Sequence, residues 1–157
     1  MSRQSTRSGA SFRDPSGFIF LRDGELFRQV NNSYQKEFDK LISSGLYDDL
    51  NAKGRLVRHT ETSETPADAS LAYKVIRPEP IPFISYPYEW SFSQLKDAAL
   101  LTLEVTKSAI QKGMILKDAS AYNIQFVDGN PVLIDTLSFG FYKEGRPWEA
   151  YRQFCQH

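Results

Sequence analysis

Three oxygen-bearing side chains fall within the run LKDASAYNIQFVDGNPVLIDTLSFG: Asp118, Asn123 five positions later, and Asp135 beyond two apolar stretches. A carboxylate can position or deprotonate a hydroxyl. Carboxamide and carboxylate oxygens are the hard ligands that magnesium prefers. The same residue types are also favoured in turns, where they bond nearby backbone. The spacing therefore admits a turn-capping reading beside a chemical one. Lys117 next to Asp118 is either a phosphate neutraliser or a solvated loop charge. His59 with Glu61 offers a base and its orienting partner, but a lone histidine reads first as structural. Cys155 has only His157 as a nearby base, too little for a thiol nucleophile. The aromatic cluster Phe83, Tyr86, Tyr88, Trp90 and Phe92 reads as hinge packing, with a ligand platform or partner face as the alternative.

The order Asp-x-x-x-x-Asn, hairpin, Asp resembles the catalytic loop and metal-binding segment of protein-kinase-like phosphotransferases. The resemblance implies Asp118 as base, Asn123 and Asp135 as magnesium ligands, and magnesium with ATP as cofactors. It also makes Arg28 and Glu37 the nearest stand-in for the lysine–glutamate pair of that family, and puts Lys117 beside the phosphates. The chain departs from the pattern in several places. Leu116 stands where the family usually has His, and Thr136-Leu137-Ser138 follows the metal Asp. The turn at Asp23-Gly24 is too short and Gly-poor to cover phosphates, and no Val-Ala-x-Lys context occurs.

A second resemblance spans more of the chain. FRDPSGFIF, FISYPYEWSFSQLKDAALLTL, LKDASAYNIQF, IDTLSF and PWEAYRQFCQH are similar to the N-terminal region of a bacterial family of class I S-adenosylmethionine-dependent methyltransferases, some labelled nodulation proteins. This resemblance implies a parent protein that uses S-adenosylmethionine and continues into a C-terminal methyltransferase domain as this segment's partner. The cofactor site itself needs a Gly-rich turn between strand and helix. The nine glycines here are scattered and none forms Gly-x-Gly. The expected function is thus an accessory module for substrate recognition or domain organisation, inactive alone in methyl transfer. The alternatives are a magnesium-ATP phosphotransferase acting on a small molecule, or a decayed, non-catalytic binding module.

Composition bounds these readings. The chain has 157 residues with 19 basic and 19 acidic side chains, so no net charge draws it to nucleic acid. One cysteine excludes a disulfide framework, and two histidines make a His-based metal site an unsuitable reading. No run approaches the ~20 apolar residues of a membrane span. Met1–Arg13 is Ser/Arg-rich without an apolar core, so it does not read as a secretory signal, a weak transit peptide being the alternative to a disordered leader, and a cytoplasmic location is expected.

The elements that must position the candidates can be read in part. Residues 1–16 are polar and expected to be a disordered leader; 17–157 are expected to form one kinase-like module cut from a longer protein, since the last helix has no stop signal. Asp23-Gly24 between apolar runs predicts a hairpin over 17–30. Asn32 and Gln35 predict a capped helix ending at Gly45, and a short helix follows to Gly54. Strands are expected over 55–60 and 72–77, with a loop over 61–70 between them. Ser91 and Gln94 predict the N-terminus of a long helix, apolar all round at Ala98–Leu101 and therefore buried, stopped by Gly113. Strands at 124–127 and 132–134 flank a turn over 128–131, and 148–157 is helical with Ala150, Tyr151 and Phe154 on one side. The expected fold is α+β and protein-kinase-like, with a small strand-containing N-terminal half and a mainly helical C-terminal half carrying a short β-hairpin.

Overall fold

The structure, a computed structural model, describes residues 6–7 and 14–156 of the chain. It mixes helix and strand, as an α+β protein should, and divides into two compact units. One comprises the chain up to Asp39 with Arg58–Pro80; the other comprises Lys40–Val57 with the chain from Ile81 onward.

The first unit is an antiparallel five-stranded sheet in the order β1-β2-β3-β5-β4. Its strands are β1 (Thr6–Arg7), β2 (Gly17–Arg22), β3 (Glu25–Asn31), β4 (His59–Thr62) and β5 (Ala72–Pro78). The hairpin β2–β3 forms where Asp-Gly predicts it. Asp23 and Gly24 both take positive φ, 51° and 81°, as a two-residue turn between right-twisted strands requires. Phe18, Phe20, Phe27 and Val75 make a core on one face, with Phe20 and Phe27 stacked at 5.6 Å. Residues 6–7 and 14–16 of the expected leader are among the described residues. Thr6–Arg7 pair with Phe20 and Leu21, and Ser16 is buried with its carbonyl accepting from the Asn31 amide. The rest of that leader lies outside the described residues.

Helix α1 (Gln35–Ser43) starts later than the Asn32 cap implies, after a 3-10 turn over Asn32–Tyr34. Asn31 at that turn's N-terminus makes no side-chain cap. Its carboxamide is committed elsewhere, accepting from Gln29 Nε2 at 2.9 Å and donating to the Pro15 carbonyl at 3.1 Å. The strand expected over 55–60 begins only at His59. Arg55, Leu56 and Val57 instead lie beside Leu133, with Val57 N–H donating to the Leu133 carbonyl at 2.8 Å.

The second unit is built around helix α3 (Phe92–Gln111). Ser91 Oγ accepts from the Gln94 amide and the Gln94 side chain returns to the Ser91 amide, so the capping box forms as read. The expectation of burial on all sides is corrected. Ala98, Leu101, Thr102, Val105, Thr106 and Ala109 are buried at helical spacing, while Leu100 and Leu103 are half exposed. A single stripe faces the core, and the two buried threonines satisfy their hydroxyls on carbonyls one turn back, at 2.9 and 2.7 Å. Around the stripe pack α2 (Leu46–Ala52), β6 (Met114–Leu116), β7 (Ile124–Val127), β8 (Asn130–Leu133), β9 (Phe139–Phe141) and α4 (Glu149–Cys155). Strands β6 and β9 pair with each other, as do β7 and β8.

The β7–β8 turn is tighter than a four-residue loop. Asp128 and Gly129 alone form it, at φ 49° and 77°, and Pro131 lies in β8 opposite Phe126. Along α4, Ala150 is buried and Phe154 packs on the core, but Tyr151 is 64% exposed and faces away from that stripe. No helix among the described residues is long and apolar enough to cross a membrane.

Candidate functional site

Asp118, Asn123 and Asp135 all belong to the second unit, and the structure brings their segments together. The junction is Ser138, which is buried. Its carbonyl accepts from the Lys117 amide at 2.8 Å and the Asp118 amide at 3.4 Å. Its hydroxyl accepts from Asn123 Nδ2 at 3.4 Å, and its amide donates to the Asp135 carbonyl at 3.3 Å. One residue of the stretch after β8 thus touches all three candidate segments. The sequence gives no signal for it: Ser138 acts mostly through its backbone groups, and its hydroxyl meets Asn123 only in the folded chain.

Each candidate is also held locally. Asp118 Oδ1 accepts from the Ser120 amide at 3.1 Å, and Asp135 Oδ1 accepts from the Leu137 amide at 2.8 Å. These are the turn-stabilising bonds that Asp side chains make to backbone two residues on. The turn-capping and chemical readings therefore coexist in the same carboxylates. A 3-10 turn over Ala121–Asn123 carries Asn123 to the start of β7, where its carbonyl accepts from the Ile134 amide at 2.8 Å. Gln153 on α4 clamps the loop from outside, accepting from the Ala119 amide at 3.0 Å and donating to the Lys117 carbonyl at 3.2 Å. No motif in the sequence marks this glutamine. All three candidate side chains are half-buried, so they are held by protein and still meet solvent.

Among the described residues no three His, Cys, Asp or Glu side chains gather as a metal-binding group. Two carboxylates with a carboxamide is a sparser, all-oxygen set. It suits magnesium, which keeps several waters and takes phosphate oxygens to complete its shell. The sequence has no Gly-x-Gly, the turn that a dinucleotide-type cofactor site places between strand and helix.

The other candidates fall in both units. Arg28 lies on β3 and Glu37 on α1, both in the first unit; the Arg28 guanidinium is buried, 3.9 Å from the Asp14 carboxylate. His59 opens β4, half-buried, with its ring 5.9 Å from that of Phe38. Its pKa is lowered to about 4, mainly because burial penalises the charged ring. Glu61 also grips Lys74, whose Nζ lies 2.7 and 2.8 Å from its two carboxylate oxygens. That pair lines an open cleft of about 300 Å³ between the β4–β5 edge and the loop after β4. Cys155 is exposed at the end of α4, and its suggested partner His157 lies outside the described residues.

The aromatic cluster is split by the fold. Trp90 packs edge-on against Phe126 at 5.2 Å, a contact within the second unit. Phe83, Tyr88 and Phe92 are 74%, 74% and 81% exposed, so packing does not account for them.

No family model matches this chain. The chain is similar to nodulation protein NoeA of Rhizobium meliloti strain 1021, with 35% identity over 153 residues. The matched region covers 96% of this chain and 32% of that protein, so the chain spans about a third of the relative's length. The relative carries the nodulation label found among the proteins that the sequence resembles.

Proposed function

We propose that the chain is a kinase-like module of a longer, methyltransferase-like protein, serving recognition or domain organisation and performing no methyl transfer itself. The observation that carries this reading is the match to NoeA, which takes in nearly all of this chain and leaves about two thirds of the relative outside it. The absence of a Gly-x-Gly turn from the sequence supports the same division of labour. The kinase-like part is supported by element order. A cation, Arg28, stands on the third strand and an acid, Glu37, on the helix that follows it. A long helix, α3, then leads to an Asp–Asn loop, a hairpin and a further Asp.

The junction at Ser138 favours a second reading, phosphoryl transfer to a small-molecule hydroxyl. Asn123 and Asp135 would hold magnesium, and Asp118 would orient the acceptor hydroxyl and take its proton. Magnesium-ATP supplies the phosphoryl group and offsets its charge. Calorimetry with S-adenosylmethionine and thermal melting with magnesium-ATP separate the readings. The module reading expects no heat with S-adenosylmethionine; stoichiometric binding overturns it. A melting-temperature rise with magnesium-ATP that disappears in Asp135→Ala establishes the second reading, and a rise of ~2.7 kcal/mol in stability is expected at a hundredfold excess over Kd. No shift at millimolar nucleotide removes it.

A further inference from the structure

Helix α3 buries one stripe and leaves a second apolar one in water. At about 100° per residue, Phe92, Ala99, Leu103 and Ile110 fall within about 40° of one another, roughly 110° round the helix from the middle of the buried stripe. Phe92 is 81% exposed, Leu103 51% and Ile110 42%, and Leu100 at 53% widens the stripe. A surface helix ordinarily turns polar residues outward, and a helix apolar on more than one side belongs between two layers. Apolar side chains scattered singly on a surface need no explanation, but a set aligned over about five turns does.

The face is held still before anything docks. Ser91 and Gln94 close the capping box at its N-terminus. The segment 85–90 that leads into it is clamped from β7: the buried Gln125 accepts from the Ser85 amide at 2.9 Å through Oε1 and donates to the Ser85 carbonyl at 3.0 Å through Nε2. The Trp90 indole N–H donates to Ser85 Oγ at 2.9 Å. Little ordering is left to do on association. Charge marks the face too. Lys96 and Lys107 are exposed along one margin of the stripe, and neither forms an ion pair among the described residues. The acids of α3, Asp97 and Glu104, lie roughly 120–140° round from the stripe, and Glu104 is engaged by Arg55 at 3.1 Å.

We propose that this face of α3 is the docking surface for the remainder of the longer polypeptide, which covers it with an apolar face edged by carboxylates. The inference rests on the reading of the chain as a module and names the surface through which the module is organised. About two thirds of the relative lies outside the matched region, so a protein of that plan has a tethered partner always at hand. Size favours a tethered occupant. The stripe is about 27 Å long and about 10 Å wide, roughly 300 Å² against the ~800 Å² that each partner gives to a stable separate complex. A linker holds its partner at ~1 mM, so less contact suffices. A second copy is a poor occupant for a further reason. Antiparallel pairing of two α3 helices, centred near Leu101, sets Lys96 and Lys107 against the same two lysines of the other copy. An anionic membrane draws on clusters of about four to eight basic residues, and α3 carries two.

The test compares the 157-residue chain with the product of the full reading frame that contains it. Leu103→Cys and Ile110→Cys are introduced into both and labelled with a maleimide, the rates being read by peptide mass spectrometry. Both positions are on the surface, so the variants should melt as their parents do. With an untethered Kd of ~0.1 mM and an effective concentration of ~1 mM, both thiols are expected to react about tenfold more slowly in the longer protein. Leu26→Cys, 40% exposed in the first unit, should react alike in the two. Lys96→Glu together with Lys107→Glu should return the rate at Leu103→Cys toward that of the shorter chain. Equal rates at Leu103→Cys and Ile110→Cys in the two proteins overturn the proposal and leave the module reading standing. Protection that grows with the concentration of the 157-residue chain assigns the face to a second copy, and protection only on phosphatidylglycerol vesicles assigns it to a membrane; either overturns the proposal. A reading frame that ends at His157 overturns the module reading and the proposal together.

Discussion

Burial keeps the His59 ring neutral in the folded chain. Its pKa falls from 6.5 to about 4, first because the ring loses water, with the Arg28 guanidinium adding to the fall and the Glu61 carboxylate opposing it. Between those two values the unfolded chain binds a proton that the folded chain does not, so stability rises with pH there. The contribution is fully present above pH 6.5 and is lost as pH falls toward 4. Melting temperature is expected to hold level above neutrality and to drop through this window, by on the order of 1–2 kcal/mol after allowance for partial solvent exposure. His59→Gln should remove that part of the slope. If the two proteins lose stability in parallel from pH 6.5 to 4, the ring is not held neutral by burial. The same scale shows what a sequence conveys about a site. Asp118, Asn123 and Asp135 were legible because their chemistry is in their side chains. Ser138 and Gln153, which tie the loops together, were not, because their partners, most of them backbone groups, are brought close only by folding.

Among the elements, those decided by local chemistry could be read and those decided by distant pairing could not. Asp23-Gly24 and Asp128-Gly129 each place two residues at positive φ, and their turns formed where expected. The Ser91–Gln94 box set the start of α3. Strands β6 and β9 escaped notice: each is three residues long, and their partners stand across the whole loop and hairpin between them. Apolarity also misled at α3, since a run such as Ala98–Leu101 does not say which of its residues meets the core. Adjacent leucines test the answer. Leu101 is 2% exposed and Leu100 53%. Leu101→Ala should cost about 2–5 kcal/mol, from lost transfer energy and an unfilled cavity, and Leu100→Ala should stay within about 0.5 kcal/mol. Comparable losses in urea denaturation of the two variants would mean that the helix presents a different face.

At the scale of the molecule, the division into two units sets an expectation about local stability. The first unit has about 60 residues, a size that buries only about 60% of its unfolded surface and is marginal alone. Its sheet begins at the short strand β1, two residues long, and ends at β4, whose four residues are half-buried or exposed. The second unit gathers Leu41, Leu101, Val105, Ile124, Leu133, Phe139 and other buried side chains into one cluster around α3. Amide exchange follows the free energy of local opening, which rises with buried apolar contact. Amides of α3, β7 and β8 should therefore exchange most slowly, and those of β4 and the loop after it well before them, as hydrogen-exchange mass spectrometry will register. A functional consequence follows from the same gradient. The Asp118–Asn123 loop and the clamped segment 85–90 are anchored on β7, in the slow region, so both should stay ordered under conditions that open the sheet of the first unit. Exchange at Ser85 and Asn123 as fast as at Thr60 would show instead that the site has no rigid footing, and a recognition surface built on it would have to order itself on binding.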